Sequence, residues 1–171
     1  MRKRFELAPY DLWSWMTTIL ASLALTVVSV LKFLASEERA ASCLPDLLLL
    51  FFWLLWLTTL FLSPWGYFLT DTKIVIQRGI FTIALRYEQI EEVRFVDRVE
   101  FSPFRLFGSA GLFGYFGLLI PKDGSTARVY ASRWNKMVQL KTAKGIYYLS
   151  PADPLGMVTA IQERLAGRKN S

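Results

Sequence analysis

The residues of this chain that could perform acid–base or nucleophilic chemistry are few. The 171 residues include no histidine, the most common general base, and one cysteine, Cys43. A lone cysteine forms no intrachain disulfide, so Cys43 is either a small apolar residue or the source of an intermolecular disulfide. The carboxylates available for acid–base work are Glu91, Glu92, Asp97 and Glu100, and they also fit a charged strand edge that discourages aggregation. We therefore expect no catalytic residue, no metal ion, no cofactor and no enzymatic activity.

Basic side chains interleaved with aromatic ones suggest a second chemistry, the binding of anionic groups. After residue 63 the chain has 15 Lys and Arg against 9 Asp and Glu, which accounts for the whole net charge of +6. Each well-placed basic residue near an anionic membrane contributes roughly 1 kcal/mol. Nucleic acid is not expected, because no nucleic-acid motif is present. The alternative for each residue is a solvated face or a core aromatic. The candidate lipid or partner contacts are Arg98, Phe104, Arg105, Arg128, Arg133, Trp134 and Lys136.

The elements that must position these residues begin with two uncharged runs, Leu12–Leu31 and Leu47–Thr70. A bilayer core about 30 Å thick requires a helix of about 20 apolar residues, and both runs are long enough. We therefore predict a transmembrane helical hairpin with spans at about 12–34 and 45–64. Two buried core helices are the alternative. A secretory signal fits less well, because the first run exceeds the about 7–15 residues of a signal core.

The residues that flank the two runs predict their orientation. Arg2, Lys3 and Arg4 precede the first span, whereas the connecting loop has one arginine and three acidic residues. We therefore expect a multi-pass membrane protein with the N-terminus and the C-terminal domain in the cytoplasm. Lys32 departs from this pattern, although its stem can reach the headgroups. Small residues on the first span, including Ser22 and Ser29, predict the face that packs against the second span or another subunit.

Four glycines recur every three residues within the uncharged, aromatic stretch Leu106–Ile120. A collagen helix is excluded because four repeats without proline cannot form one, and the spacing of a phosphate-binding loop is absent. We interpret the stretch as a strand pair with glycines at bulges or close backbone approaches. The alternative is a segment that dips into the membrane, since 15 residues are too few to span it.

The rest of the C-terminal part alternates short β-favouring segments with turns. Lys73–Gln77 and Ile80–Leu85 flank Arg78 and Gly79, which predicts a hairpin. A single amphipathic helix follows, with Asp153 as the candidate N-cap and Pro154 as its first residue. This order predicts a curved antiparallel sheet or barrel with one opening covered by the helix.

Several segments of this part share a pattern with one known family. They are Gly111–Gly117, Val129–Ser132, Val138–Leu140 and Gly145–Pro151, preceded by an opening from Tyr67 to Arg86. From about Tyr67 to Leu165 the chain resembles the bacterial pleckstrin-homology-like (bacterial PH) domain family. The resemblance implies an α+β fold in which about seven strands form a bent antiparallel sheet or barrel closed by a C-terminal helix. It also implies frequent attachment to membrane spans and no enzymatic activity. Together with the predicted spans, it leads us to expect a protein of the bacterial inner (plasma) membrane.

The resemblance raises the question of a phosphoinositide site, because eukaryotic namesakes often bind these lipids through basic residues between the first strands. Here that hairpin has only Lys73, Arg78 and Arg86, and only Arg78 is near the turn. We therefore expect no dedicated phosphoinositide pocket. We divide the chain into an N-terminal tail with the transmembrane hairpin (1–66) and a PH-like domain (67–171).

The expected function is that of a non-enzymatic, membrane-anchored binding or scaffold module on the cytoplasmic face. It would contact anionic lipid, a membrane-protein partner or a second copy of the chain. One alternative is an accessory subunit of a transport or secretion complex. The other alternative is a membrane-surface enzyme that uses the acidic cluster.

Overall fold

The computed structural model describes residues 3–35, 43–122 and 124–169, without the side chains at 43, 102–107, 110, 168 and 169. The helices are α1 (Leu12–Leu34), α2 (Cys43–Leu62) and α3 (Pro154–Lys169). The strands are β1 (Lys3–Glu6), β2 (Pro64–Leu69), β3 (Lys73–Arg78), β4 (Thr82–Arg86), β5 (Ile90–Arg98), β6 (Phe101–Gly111), β7 (Gly114–Pro121), β8 (Ala127–Ala131), β9 (Asn135–Thr142) and β10 (Gly145–Leu149). The predicted α+β class is confirmed.

The described strands form two sheets, ordered β1-β2-β3-β4 and β5-β9-β10-β8-β7-β6, and neither closes into a barrel. All neighbours are antiparallel except β8 and β10, which run parallel. The predicted closed barrel is therefore not observed, and the described residues form ten strands where about seven were expected. The N-terminal tail adds one strand, β1, that the prediction did not include.

The larger sheet is strongly curled. Its two edge strands, β5 and β6, are separated in the chain only by Val99 and Glu100. A connection of that length spans at most about 11 Å. The two edges therefore approach each other at this end of the sheet, although the described strands do not pair there.

The main hydrophobic core lies between the two sheets and α3. Tyr67 and Ile74 from the first sheet, Leu140 from the second, and Met157 and Ile161 from α3 are all fully buried within it.

The larger sheet is apolar on both faces, because the adjacent residues Val138 and Met137 are buried in different clusters. The second cluster includes Tyr115, Met137 and Tyr148.

The start of α3 follows the sequence prediction. The Asp153 carboxylate accepts a hydrogen bond of 2.9 Å from the Gly156 backbone N–H, and Pro154 is the first helical residue. This N-cap satisfies one of the amide groups that the first helical turn leaves without a partner. The cap fixes the register that directs Met157 and Ile161 into the core.

Candidate functional site

Helices α1 and α2 are long and apolar enough to cross a membrane, with a mean hydropathy of 1.9 in each and no burial of the apolar window. Their 23 and 20 residues correspond to about 34 and 30 Å at 1.5 Å per residue. They carry most of the large exposed apolar side chains of the described structure. Water would solvate such a surface poorly, whereas lipid acyl chains match it.

Polar side chains join the two helices as an antiparallel pair. The indole N–H of Trp56 donates to the Ser22 hydroxyl at 3.1 Å, and that of Trp53 donates to the Ser29 hydroxyl at 3.0 Å. Lys32 forms an ion pair with Asp46 at the end of the hairpin distant from the domain. The small-residue face of the first span therefore does contact the second, as the sequence predicted.

The N-terminal tail is part of the domain and not a free extension. β1 pairs with β2, and the Ala8 N–H donates to the Ser150 carbonyl at 2.9 Å. The Ser132 hydroxyl donates to the Ala8 carbonyl at 2.6 Å. These hydrogen bonds hold the N-terminal tail against the domain. The tail and the domain therefore lie at the same end of the helix pair.

The beginning of α1 clamps the turn between β6 and β7. The buried Ser14 hydroxyl donates to the Gly111 carbonyl at 2.7 Å and accepts from the Gly114 N–H at 3.0 Å. One helical turn later, the Thr18 hydroxyl accepts from the Phe113 N–H at 3.0 Å. Gly114 has a φ of 99°, and a Cβ there would lie 2.8 Å from the Ala131 carbonyl oxygen. Glycine is therefore required at this position.

A second contact strengthens this clamp. The Tyr115 hydroxyl donates to both carboxylate oxygens of Asp11, at 2.9 and 2.8 Å. Asp11 also caps α1 by accepting from the Ser14 N–H at 2.9 Å. Burial, and next the nearby Asp11 carboxylate, raise the pKa of Tyr115 above its usual value. The neutral hydroxyl is therefore the form that holds the start of α1 to β7.

The tip of this hairpin, Leu112–Phe113, lies between the two apolar helices. The Phe113 ring meets the Trp56 ring edge-on at 5.0 Å between centroids. Leu112 lines an apolar cavity of about 380 Å³ together with side chains from both helices, including Ala21 and Ala24. Thr18 and Trp56 each lie six residues from the domain end of their helix, which is about 9 Å. The glycine-rich stretch is thus a strand pair, as predicted. Its tip packs between the two apolar helices at about 9 Å from their domain ends.

Arg78, at the end of β3, secures the domain end of α2. Its Nε–H donates to the Leu62 carbonyl at 2.7 Å, and its guanidinium lies 5.4 Å from the centre of the Tyr130 ring. A cation at a helix C-terminus interacts favourably with the helix dipole. Arg78 is therefore engaged within the protein.

Backbone pairing and chain adjacency place four of the seven predicted contact residues at one end of the larger sheet. Arg98 pairs in register with Asn135, which lies between Trp134 and Lys136. Arg133 donates to the Pro151 carbonyl at 3.3 Å, and its buried Nε has no hydrogen-bond partner among the described residues. We call Arg98, Arg133, Trp134 and Lys136 the basic–aromatic surface. It adjoins the start of α1, because the Asp11 N–H donates to the Ser132 carbonyl at 3.3 Å.

Trp134 and Lys136 have different surroundings within this surface. The Trp134 ring packs against Tyr115 and Phe101, at centroid distances of 4.0 and 4.7 Å. Trp134 therefore contributes mainly to packing, which was the alternative interpretation of this residue. Lys136 is exposed and has a φ of 50°, a conformation that non-glycine residues rarely adopt.

The other three predicted residues do not join this surface. Arg128 lies at the opposite end of the larger sheet, where it donates to the Lys144 carbonyl at 2.7 Å and packs over Tyr147. The backbone of Phe104 and Arg105 belongs to β6, but their side chains lie outside the described part of the structure.

The hairpin that would hold a phosphoinositide has its basic residues at two separate ends. Lys73 and Arg86 pair in register at the end distant from α2, whereas Arg78 is at the α2 end. Lys73 and Arg78 are five residue steps apart on β3, which is about 17 Å along a strand. These side chains therefore do not converge on one headgroup.

Residues 65–165 match the family described as "Bacterial PH domain". The chain belongs to the bacterial PH domain family. This match confirms the predicted family. No curated protein and no solved structure matches the chain.

The acidic cluster of this bacterial PH domain consists of exposed side chains, some in ion pairs. Glu92 pairs with Arg94 at 2.8 Å and Glu100 with Lys122 at 2.6 Å. The Lys122 ammonium lowers the pKa of the Glu100 carboxyl, whereas a general acid at neutral pH needs a raised pKa. Within the described ranges, no group of three or more His, Cys, Asp or Glu side chains could hold a metal ion.

Sequence analysis did not identify the residues that join this bacterial PH domain to its helices. Ser14, Thr18 and Ser22 lie four residues apart in an apolar helix, which places them on one face. That spacing was a usable signal, since hydroxyls in apolar helices often bond across an interface. Ser22 contacts Trp56 of α2, whereas the partners of Ser14 and Thr18 are backbone groups of Gly111 to Gly114. Those backbone groups lie nearly 100 residues away and left no mark in the sequence.

Proposed function

We propose that this protein is a non-enzymatic, membrane-anchored binding module in which α1 and α2 cross the bacterial inner membrane. The clamp between α1 and the β6–β7 turn is the observation that carries this proposal. Hydrogen bonds between the Ser14 and Thr18 hydroxyls and the backbone of the β6–β7 turn fix the domain against the helices, so the domain cannot swing freely as a tethered domain would. A fixed domain presents one constant face to the bilayer.

The face nearest the helix start is the basic–aromatic surface, and anionic lipid headgroups are its proposed ligand. The Ser132 carbonyl, next to Arg133, accepts a hydrogen bond from the Asp11 N–H just before α1. We therefore expect Arg98, Arg133 and Lys136 to lie near the level at which α1 would enter the membrane. Three such residues would contribute roughly 1 kcal/mol each near an anionic surface. The distant Arg128 is not part of this proposal.

The lipid contact is tested on the full chain in nanodiscs that contain phosphatidylcholine and phosphatidylglycerol. One variant replaces Arg98, Arg133 and Lys136 with glutamine, and a matched control replaces the exposed Lys73, Arg86 and Lys141 at the distant end. We expect the first variant, but not the control, to retain less phosphatidylglycerol by native mass spectrometry. Equal retention in both variants would contradict lipid binding at this surface. Loss of a co-purifying membrane protein from the first variant alone would assign the surface to a protein partner instead.

The proposed orientation can be tested with the single native cysteine. Cys43 lies at the start of α2, on the end of the helix pair opposite the domain. A membrane-impermeant thiol reagent should label Cys43 in intact spheroplasts. A Cys43→Ser chain with Thr72→Cys in the β2–β3 turn should be labelled only after lysis. The reverse pattern would place the domain outside the cytoplasm.

A further inference from the structure

The turn between β3 and β4 is unusually apolar for a turn in water. We call Gly79–Phe81 the β3–β4 tip. Ile80 and Phe81 are 63% and 62% exposed, whereas turns of soluble hairpins are dominated by Gly, Asn, Asp, Ser and Pro. Most of the apolar surface of Ile80 and Phe81 is therefore left uncovered by the described residues.

Backbone contacts fix the β3–β4 tip against α2. The Gly79 N–H donates to the Phe61 carbonyl at 3.0 Å, and a Cβ at Gly79 would lie 3.0 Å from the Phe61 Cα. Glycine therefore allows the turn to approach the helix backbone closely. The hydrogen bond from Arg78 to the Leu62 carbonyl holds the adjacent end of β3.

The tip lies along the part of α2 that would be within the membrane. Ile80 and Phe81 line a cavity of about 300 Å³ with Leu54, Leu57, Thr58, Phe61 and Leu62 of α2. Leu54 precedes the end of the helix by eight residues, which is about 12 Å. The exposed surface of the tip is therefore continuous with the apolar surface of α2.

We infer that the β3–β4 tip inserts into the acyl chains of the same leaflet that α2 crosses. This inference rests on the proposed function, because it requires α2 to lie in the bilayer. Leu112 and Phe113 occupy the space between α1 and α2, and the β3–β4 tip adds a second apolar projection beside α2. The domain would thus sit partly within the membrane surface at two hairpin tips.

The experiment places one fluorophore at a time on the full chain. In a Cys43→Ser background, Ile80→Cys or Phe81→Cys carries an environment-sensitive probe in liposomes that contain nitroxide-labelled acyl chains. Leu50→Cys in the middle of α2 reports whether the span is in the bilayer. Thr72→Cys in the polar β2–β3 turn is the matched control, since it lies in the adjacent turn of the same sheet.

We expect acyl-chain nitroxides to quench probes at 80 and 81 several-fold more strongly than the probe at 72, and aqueous iodide to show the opposite order. Quenching at 50 but not at 80 or 81 would overturn tip insertion while leaving the anchor intact. Shielding of 80 and 81 from both quenchers would mean that protein covers the tip, which also overturns the inference. Absence of quenching at 50 would refute the proposed anchor and tip insertion together.

Discussion

Replacing Ser14 with alanine should loosen the domain from the helix pair. The Ser14 side chain is 1% exposed and satisfies two backbone groups, the Gly111 carbonyl and the Gly114 N–H. Each buried polar group left without a partner costs about 1–3 kcal/mol. The Thr18 hydroxyl, 3.5 Å from the Gly111 carbonyl oxygen, can compensate for part of the first loss. We therefore expect a destabilisation of about 2–4 kcal/mol.

Thr26→Ala is the matched control for this variant. The Thr26 hydroxyl is exposed and donates only to the Ser22 carbonyl of its own helix, at 2.8 Å. Such bonds within a helix contribute little, so we expect a change within about 0.5 kcal/mol. Both variants remove one hydroxyl from α1, but only Ser14→Ala removes a contact with the domain.

Hydrogen exchange of the full chain in detergent micelles measures this effect locally. The Gly114 amide should exchange about 10–100-fold faster in Ser14→Ala than in Thr26→Ala, because local opening no longer breaks the serine contacts. The thermal unfolding midpoint should fall in parallel. Equal exchange at Gly114 in the two variants would refute the role of Ser14 as the clamp between the domain and the helices.

Two further predictions concern the other contacts between domain and helices. Arg78→Ala should lower the free energy of unfolding by about 1–2 kcal/mol, because it removes the hydrogen bond to the Leu62 carbonyl at the end of α2. Arg86→Ala, at the distant end of the sheet, should have little effect. Equal shifts of the thermal unfolding midpoint in the two variants would contradict this prediction. The raised pKa of Tyr115 means that its neutral form stabilises the folded state below pH about 10 and that this contribution is lost as pH rises above that value. Tyr115→Phe removes the donor to Asp11. Above pH about 10, the stability of this variant should fall less steeply with pH than that of the unchanged protein, by up to about 1.4 kcal/mol per pH unit. Unfolding measured from pH 8 to 12 tests this, and an unchanged slope would exclude this titration.

Local patterns were sufficient for the features that depend on neighbours in the chain. The uncharged runs predicted α1 and α2, because helix length and hydropathy are local properties. Asp153 and Pro154 predicted the start of α3, because an N-cap bonds amides only two or three residues ahead. The recurrent glycines predicted a strand pair, and the family was evident from short motifs within the matched region.

The grouping of the candidate residues depended on strand order. Arg98 and Lys136 lie 38 positions apart in the sequence, and the pairing of β5 with β9 places Arg98 opposite Asn135, the residue before Lys136. Arg128 is only five positions from Arg133, yet the length of β8 carries it to the other end of the sheet. Proximity in the sequence therefore does not place Arg128 beside Arg133, because strand length and strand pairing determine their positions.

The sequence by itself determined the apolar helices, the family and the overall basic charge of the domain, because each follows from composition or from short motifs. Only the tertiary structure decided that the N-terminal tail forms β1, that Ser14 and Thr18 clamp the β6–β7 turn, and that the β3–β4 tip lies against α2. These contacts join hydroxyls and backbone amides far apart in the chain. Nearly every residue has the same backbone N–H and C=O groups. The sequence therefore does not show which backbone group a serine or arginine side chain will bind.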